Sequence, residues 1–186
     1  MHGGKHAAAL GRMPGLTLPG VEMRTSFVEA MREFQAEGRG QEHDRSTVGD
    51  EIRDNRWATP EGFSEFVADL RAKAVVEPPP GRVRGTTWWW CEGTTYLGRI
   101  ALRHELTESL RKKGGHVGYD VRPTARRQGH ATAMLAAVLP KARELGIDRA
   151  LITCDEDNIG SRRVIEANGG VLEFAGDGIR RYWLAT

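Results

Sequence analysis

The chain has 186 residues, 28% of them charged and 39% hydrophobic. That is enough for one ordinary domain with its own core, and it excludes wholesale disorder. Lys+Arg number 27 against 25 Asp+Glu, a formal net charge of +2, too balanced for a protein that coats a polyanion. Divided after residue 85, the halves carry −1 and +3, so the basic excess lies in the second half, where it suits a phosphate-bearing ligand.

Residues 1–20 read as a flexible N-terminal extension, rich in Gly and ending in Pro19-Gly20, before a single domain over residues 21–186. A first helix is predicted over Ser26–Glu37, with Ser26 as its cap and Phe27, Ala30, Met31 and Phe34 on one face. Residues 39–56 lack an apolar period and read as loop. A second helix is predicted over Glu61–Lys73, and Pro78-Pro79-Pro80-Gly81 is a stiff break after it. Thr86–Cys91 and Thr95–Leu102 form a predicted hairpin around Glu92-Gly93, with Trp88 and Trp90 on one face and Trp89 on the other. His116–Val121 is a short strand. Gly129–Leu145 is a helix that Pro140 should bend or shorten. Arg149–Cys154 is a strand and Asn158–Asn168 a helix closed by Gly169. Val171–Phe174 and Ile179–Leu184 read as a closing hairpin. The series implies a mixed sheet with helices on its faces.

Cys91 and Cys154 sit in apolar, strand-like stretches and read as buried thiols of a cytoplasmic protein. No CxxC or HExxH spacing points to a metal, and no segment reads as a transmembrane span or a signal peptide. The Arg pairs at 162–163 and 180–181 lack interleaved aromatics, so they read as solvated faces rather than a nucleic-acid surface.

The chemically informative stretch runs from Val121 through Arg122-Pro123-Thr124-Ala125-Arg126-Arg127-Gln128-Gly129-His130-Ala131. A strand ends, a Pro-containing turn follows, and Gly129 opens an apolar-periodic helix. The first amides of a helix lack internal partners, and its dipole adds about half a positive charge there. Gly129 and Ala131 let backbone approach a bulky anion, while Arg126 and Arg127 add charge, which together make a pyrophosphate cradle.

The run Gly115-His116-Val117-Gly118-Tyr119-Asp120-Val121-Arg122-Pro123, then Arg126-Arg127-Gln128-Gly129-His130-Ala131, resembles the acetyl-CoA motif of the GNAT acetyltransferase superfamily. Asn158–Gly169 resembles that family's second signature, and the likeness covers about residues 86–184. The phrasing Leu-Ile-Thr-Cys-Asp-x-Asp-Asn-Ile is similar to a bacterial subgroup of predicted acetyltransferases. The resemblance implies an α/β (α+β) fold with a mixed, mostly antiparallel sheet of about six to seven strands flanked by about four helices. It implies acetyl-CoA as cosubstrate and a small-molecule or peptide amine as acceptor, attacked directly in a ternary complex. Backbone amides from Arg127 through Gln128, Gly129, His130 and Ala131 to Thr132 would hold the pyrophosphate, and Arg126 occupies the first motif position. Tyr119 and Val121 would pair through backbone with the pantetheine arm, an amide near Val121 would polarise the thioester carbonyl, and Asn158 and Ser161 would touch the arm.

The family often uses a Glu on the motif strand, near the position of His116, or a water, and His titrates near pH ~6.5. His116 and His104 are therefore candidate bases, and Asp120, on the same strand face as His116, is a candidate to orient an imidazole or bind the amine. The family's Tyr acid would fall at Ile165, which cannot donate a proton. A homodimer is an expectation of the superfamily. The competing reading is a non-catalytic acyl-CoA sensor or interaction module.

Overall fold

The computed structural model describes residues 13–186. The expected extension lies partly outside those residues, and its remainder is not all tail. Strand β1 (Gly15–Thr17) pairs antiparallel with the Trp-rich strand through Leu16 and Trp90, and Leu16 packs on the core there. Helix α1 (Arg24–Ala36) follows, then α2 (Thr47–Asp54) and α3 (Pro60–Ala72). The hairpin is β2 (Gly85–Glu92) and β3 (Thr95–Arg103), and a short α4 (Glu108–Lys112) leads to β4 (Val117–Val121). The remainder is α5 (His130–Glu144), β5 (Arg149–Asp155), α6 (Ile159–Ala167), β6 (Val171–Gly176) and β7 (Ile179–Ala185).

Among the described residues the seven strands form two antiparallel ladders, ordered β1-β2-β3-β4 and β5-β7-β6. The architecture is the expected mixed α/β one, with six α-helices rather than about four. One addition, α2, falls in the stretch read as loop, and the other, α4, lies between two predicted strands. Helix α2 buries only Val48, Gly49, Glu51 and Ile52, too few apolar residues to show a period. Its ends are nevertheless defined. The Ser46 hydroxyl accepts from the Gly49 amide at 3.0 Å, and Asn55 closes the helix in a left-handed conformation. Helix α4 has five residues and buries none.

Tertiary contacts override two local expectations. Ser26 lies inside α1 rather than capping it, because its hydroxyl accepts from the Tyr96 amide and from Arg122, both at 3.0 Å. Helix α5 continues through Pro140. The carbonyl that Pro140 leaves unpaired belongs to Ala136, which is exposed and can turn to water.

The tryptophans alternate between the faces of β2 as predicted, and the two faces pack into separate cores. On one face Trp89 joins Phe27, Phe34, Phe63 and Phe66 of α1 and α3, and Phe27 stacks on Trp89 with ring centroids 4.9 Å apart. On the other, Trp90, Ile100 and Leu102 meet Met134, Leu135 and Val138 of α5, Ile165 of α6 and Tyr182 of β7. Each large apolar side chain so buried contributes about 1.5–3 kcal/mol. Cys91 and Cys154 are buried free thiols, as expected.

One buried charge pair fixes α2 against the first sheet. Arg99 of β3 and Glu51 of α2 lie 3.0 Å apart with side chains 4% and 6% exposed, and Arg99 also donates to Thr87 at 3.3 Å. Removing one partner strands the other charge in the interior. Arg99→Met is expected to lower the unfolding free energy by about 3–5 kcal/mol in urea titration, and adding Glu51→Gln should recover part of the loss.

Candidate active site

The site exists because β4 and β5 do not form a ladder. They are pinned at one end only. The His116 amide donates to the Leu151 carbonyl at 2.7 Å, and the Leu151 amide donates back to His116 Nδ1 at 2.9 Å. The Gly114 amide adds a bond to Thr153 Oγ1 at 2.9 Å. Gly115 allows this approach, since its φ is +61° and a Cβ there would run into the Leu151 carbonyl. Along its other edge β4 pairs with β3. The Arg103 amide meets the His116 carbonyl and the Arg122 amide meets the Leu97 carbonyl. Strand alternation then turns the backbone groups of Val117, Tyr119 and Val121 away from β3, toward the gap.

The gap opens into a cleft of about 930 Å³. At the Val121 end lies the turn into α5. Arg127 (φ 66°) and Gly129 (φ 84°) are both left-handed, and α5 starts at His130 without a side-chain cap. The Ala133 amide bonds to the Gly129 carbonyl, so the amides before it have no partner within the helix. A Cβ on Gly129 would meet nothing within 4 Å, so glycine is required there by its backbone angle, and the space before it is open. Left-handed turns, free amides and the helix dipole form an anion nest. A nest joined to an unpaired strand edge fits a diphosphate carried on an amide-bearing arm.

The turn is braced by one face of α1 and by Glu37 at its C-terminal cap. Glu29, Glu33 and Glu37, four residues apart, receive Arg122, Thr124 and Arg126. Arg122 lies 2.7 Å from Glu33 and 3.3 Å from Glu29, and Thr124 Oγ1 donates to Glu33 at 2.9 Å. Burial pushes the Glu33 carboxyl up, but hydrogen bonds from Arg122 and Thr124 outweigh it and hold the group below its ordinary range. Both terminal nitrogens of Arg126 donate to Glu37 at 2.8 Å, so this side chain braces the loop. The repeat of Glu at i, i+4 and i+8 beside the apolar stripe of α1 was the available sequence signal for this brace.

Most of the predicted site residues line the cleft: Tyr119, Asp120, Val121, Arg126, Arg127, Gly129, His130, Ala131, Thr132, Asn158 and Ser161. Tyr119 reaches across the gap to Ser161 Oγ at 2.7 Å, and Asn158 caps α6 by accepting from the Ser161 amide at 2.9 Å. His130 Nδ1 accepts from Trp90 at 3.2 Å. The Gln128 side chain turns back to the Thr124 carbonyl and does not line the cleft. Asp120 lies on the β3–β4 face opposite Tyr119, 3.5 Å from Arg39.

Neither predicted histidine lines the cleft. His104 shares a 2.9 Å hydrogen bond with Thr86. The buried His116 ring spends its Nδ1 lone pair on the Leu151 amide. Burial first, then the charges of Arg111 and Arg103, lower its pKa to about 4. Ile165 is fully buried in the second core. Arg103 and Lys113 line the cleft without having been singled out from the sequence; Arg39 and Arg45, of a loop that family analogy places near the acceptor, line it too, as does Arg163, read from the sequence as part of a solvated face. Each comes from an element whose position the fold alone decides.

Residues 39–171 match the family model of the acetyltransferase (GNAT) domain. The chain belongs to the GNAT acetyltransferase family. Solved structures agree in fold. Mycobacterium smegmatis RimJ in complex with CoA-disulfide is 17% identical with a TM-score of 0.66, over 93% of this chain and 82% of that one. The microcin C7 self-immunity acetyltransferase MccE, in complex with acetyl-CoA and AMP, is 12% identical with a TM-score of 0.60, over 92% and 91%. RimL, a ribosomal L7/L12 alpha-N-protein acetyltransferase in complex with coenzyme A, is 16% identical with a TM-score of 0.60, over 91% and 92%. No curated protein sequence matches the chain. Among the described residues no His, Cys, Asp and Glu cluster could hold a metal ion, and no helix is long and apolar enough to cross a membrane.

The pin at His116 has a pH signature. Between its ordinary value near 6.5 and its folded value of about 4, the unfolded chain takes up a proton that the folded chain refuses. Stability drawn from this group is present above pH ~6.5 and is lost as pH falls toward 4. The urea midpoint of the wild type should therefore exceed that of His116→Asn near neutrality, with the difference narrowing on acidification. A pH-independent difference would contradict this role.

Proposed function

We propose that the protein moves an acetyl group from acetyl-CoA to an amine of a small molecule or peptide, by direct attack in a ternary complex. The observation that carries the reading is the unpaired edge of β4 running into the left-handed turn at Arg127 and Gly129. The acetyl-CoA and CoA complexes of the similar folds support the choice of cosubstrate.

Acetyl-CoA supplies an activated acyl carbon and a thiolate leaving group. The amides from Arg127 to Thr132 bind the diphosphate through hydrogen bonds and the α5 dipole. The backbone of Tyr119 and Val121 takes the pantetheine amides as an added strand would, and an amide near Val121 donates to the oxyanion that forms on the thioester carbonyl. Asn158 and Ser161 close the arm from the α6 side. Asp120 attracts the incoming ammonium from the opposite face. The amine must lose its proton before attack, and water or another residue of the cleft takes it, since the lone pair of His116 Nδ1 is engaged and His104 lies outside the cleft. With Ile165 at the position of the family's phenol, either water or another group protonates the thiolate or it departs unassisted, as a good leaving group can.

The buried Ile165 is also the one feature that favours the second reading, a non-catalytic acyl-CoA-binding module. Calorimetric titration with acetyl-CoA, CoA and ATP tests what the readings share. Both CoA forms should bind and ATP should not. Gly129→Val should weaken CoA binding at least ~100-fold with the far-UV spectrum unchanged, because a branched residue strains the left-handed turn and its side chain fills the cradle. Acetylation of members of an amine panel then separates enzyme from sensor.

A further inference from the structure

We propose that the acceptor is an amine that also bears a carboxylate, and that Arg45, Arg103 and Lys113 form the subsite for that carboxylate. This rests on the acetyl-transfer reading above.

Apart from Arg39 and Arg163, the Arg and Lys residues of the cleft fall into two sets. Arg126 and Arg127 stand at the turn into α5. Arg45, Arg103 and Lys113 stand elsewhere. On β3, Ile100 and Leu102 face α5, so Arg99 and Arg103 face the other way, toward the layer of α1 to α3. Arg103 hydrogen-bonds through its backbone to His116, at the far end of β4 from Val121. Five residues of strand separate the two ends, about 17 Å. Arg103 is thus on the opposite face and at the opposite end from the anion nest, where the phosphates of the cosubstrate do not need it.

Arg103 is also a cation without a counter-ion. It makes no ion pair among the described residues, and its Nη1 donates to the carbonyls of Gly114 and Gly115 at 3.2 and 3.0 Å. Those two bonds fix the guanidinium plane and leave its other donors free. Burial, then the charges of Arg99 and Arg82, disfavour its charged form, as expected for a half-buried cation that lacks an anion. Arg45, just before α2, lines the same cleft, is exposed and makes no ion pair among the described residues. Lys113 has only the exposed Asp155 at 3.5 Å, a pair weak enough to exchange for a ligand. Arg39 is different, since Asp44 holds it through a hydrogen bond at 3.1 Å, while Asp120 lies 3.5 Å away without one.

The anions of this half are Asp120 and Asp155. Asp120 therefore suits the ammonium and the Arg set suits an anion. Arg103 lies four residues along β3 from Arg99, the register partner of Asp120, about 14 Å. The carboxylate taken there sits away from the reacting amine, as an acidic side chain does and an α-carboxylate does not. A planar guanidinium beside a carboxylate gives a charge-assisted, bidentate contact.

The test uses products that cannot react further, titrated calorimetrically into the CoA-loaded full chain. The probes are acetyl-Ser-Glu-Glu amide, acetyl-Ser-Gln-Gln amide, acetyl-Ser-Lys-Lys amide and free N-acetylglutamate. The Glu peptide should bind about tenfold tighter than the Gln peptide, the Lys peptide should be weakest, and added salt should shrink the preference. Arg103→Gln and Arg45→Gln should each remove most of the advantage. Arg45 is exposed and braces nothing, so its variant keeps the test valid if Arg103→Gln fails to fold. N-acetylglutamate matching the Glu peptide would identify a free amino dicarboxylate as the source of the carboxylate; weaker binding would identify an acidic peptide. Equal binding of the Glu and Gln peptides, or a preference untouched by Arg45→Gln, overturns the subsite while leaving acetyl transfer standing. Failure of CoA itself to bind overturns the parent reading and this one with it.

Discussion

The whole structure depends on where β4 stops pairing with β5. Two reciprocal bonds between His116 and Leu151 join the ladders at one point, and a side-chain nitrogen stands in for a backbone acceptor there. A side chain cannot propagate a ladder, so pairing ends where it begins. The next residues of β4 are left with backbone groups that satisfy only β3. Unpaired strand edges are ordinarily a liability. Here the edge is short, lies inside a cleft and ends at a helix N-terminus. A neutral imidazole is required for the pin, and burial among Arg103 and Arg111 keeps it neutral.

Two charge networks hold the walls around that gap. The Glu29, Glu33 and Glu37 row fixes the β4–α5 turn against α1, and Arg99 with Glu51 fixes α2 against β3. They differ in kind. The exposed Arg126–Glu37 pair adds little stability, about 0–1 kcal/mol, but a two-pronged geometry positions the loop that carries the left-handed Arg127. The buried Arg99–Glu51 pair is costly to break from either side and sets how close α2 comes to the cleft. Arg45 precedes α2 and Arg103 follows Arg99 along β3, so both cleft cations belong to the segments that this pair joins.

Much of this was legible in the sequence. The Trp88–Trp90 alternation fixed which residues face each core, and the strand–turn–helix setting of Gly129 marked the anion nest, because both signals are local. The reading failed where distant residues decide. Ser26 looks like a cap by position, yet Tyr96 and Arg122 claim its hydroxyl. Helix α2 has too short an apolar stripe to register, and Glu51 in it is buried only because Arg99 lies beneath. His116 falls near a base position by alignment, but its ring direction is set by Leu151, 35 residues later. Arg126 occupies a motif position and lines the cleft, but its pairing with Glu37, 89 residues earlier, has no local signal. In each case the residue type was informative and its partner was not.

Residue-resolved amide hydrogen exchange with and without CoA examines the gap itself. Addition of CoA should slow exchange at Tyr119 and Val121 and at the amides from Arg127 to Thr132. It should leave Gly118 and Asp120, already paired to β3, nearly unchanged. Protection that alternates along β4 in this way is the mark of an arm seated on a free strand edge. Uniform protection of β4, or none there while CoA binds, would contradict it.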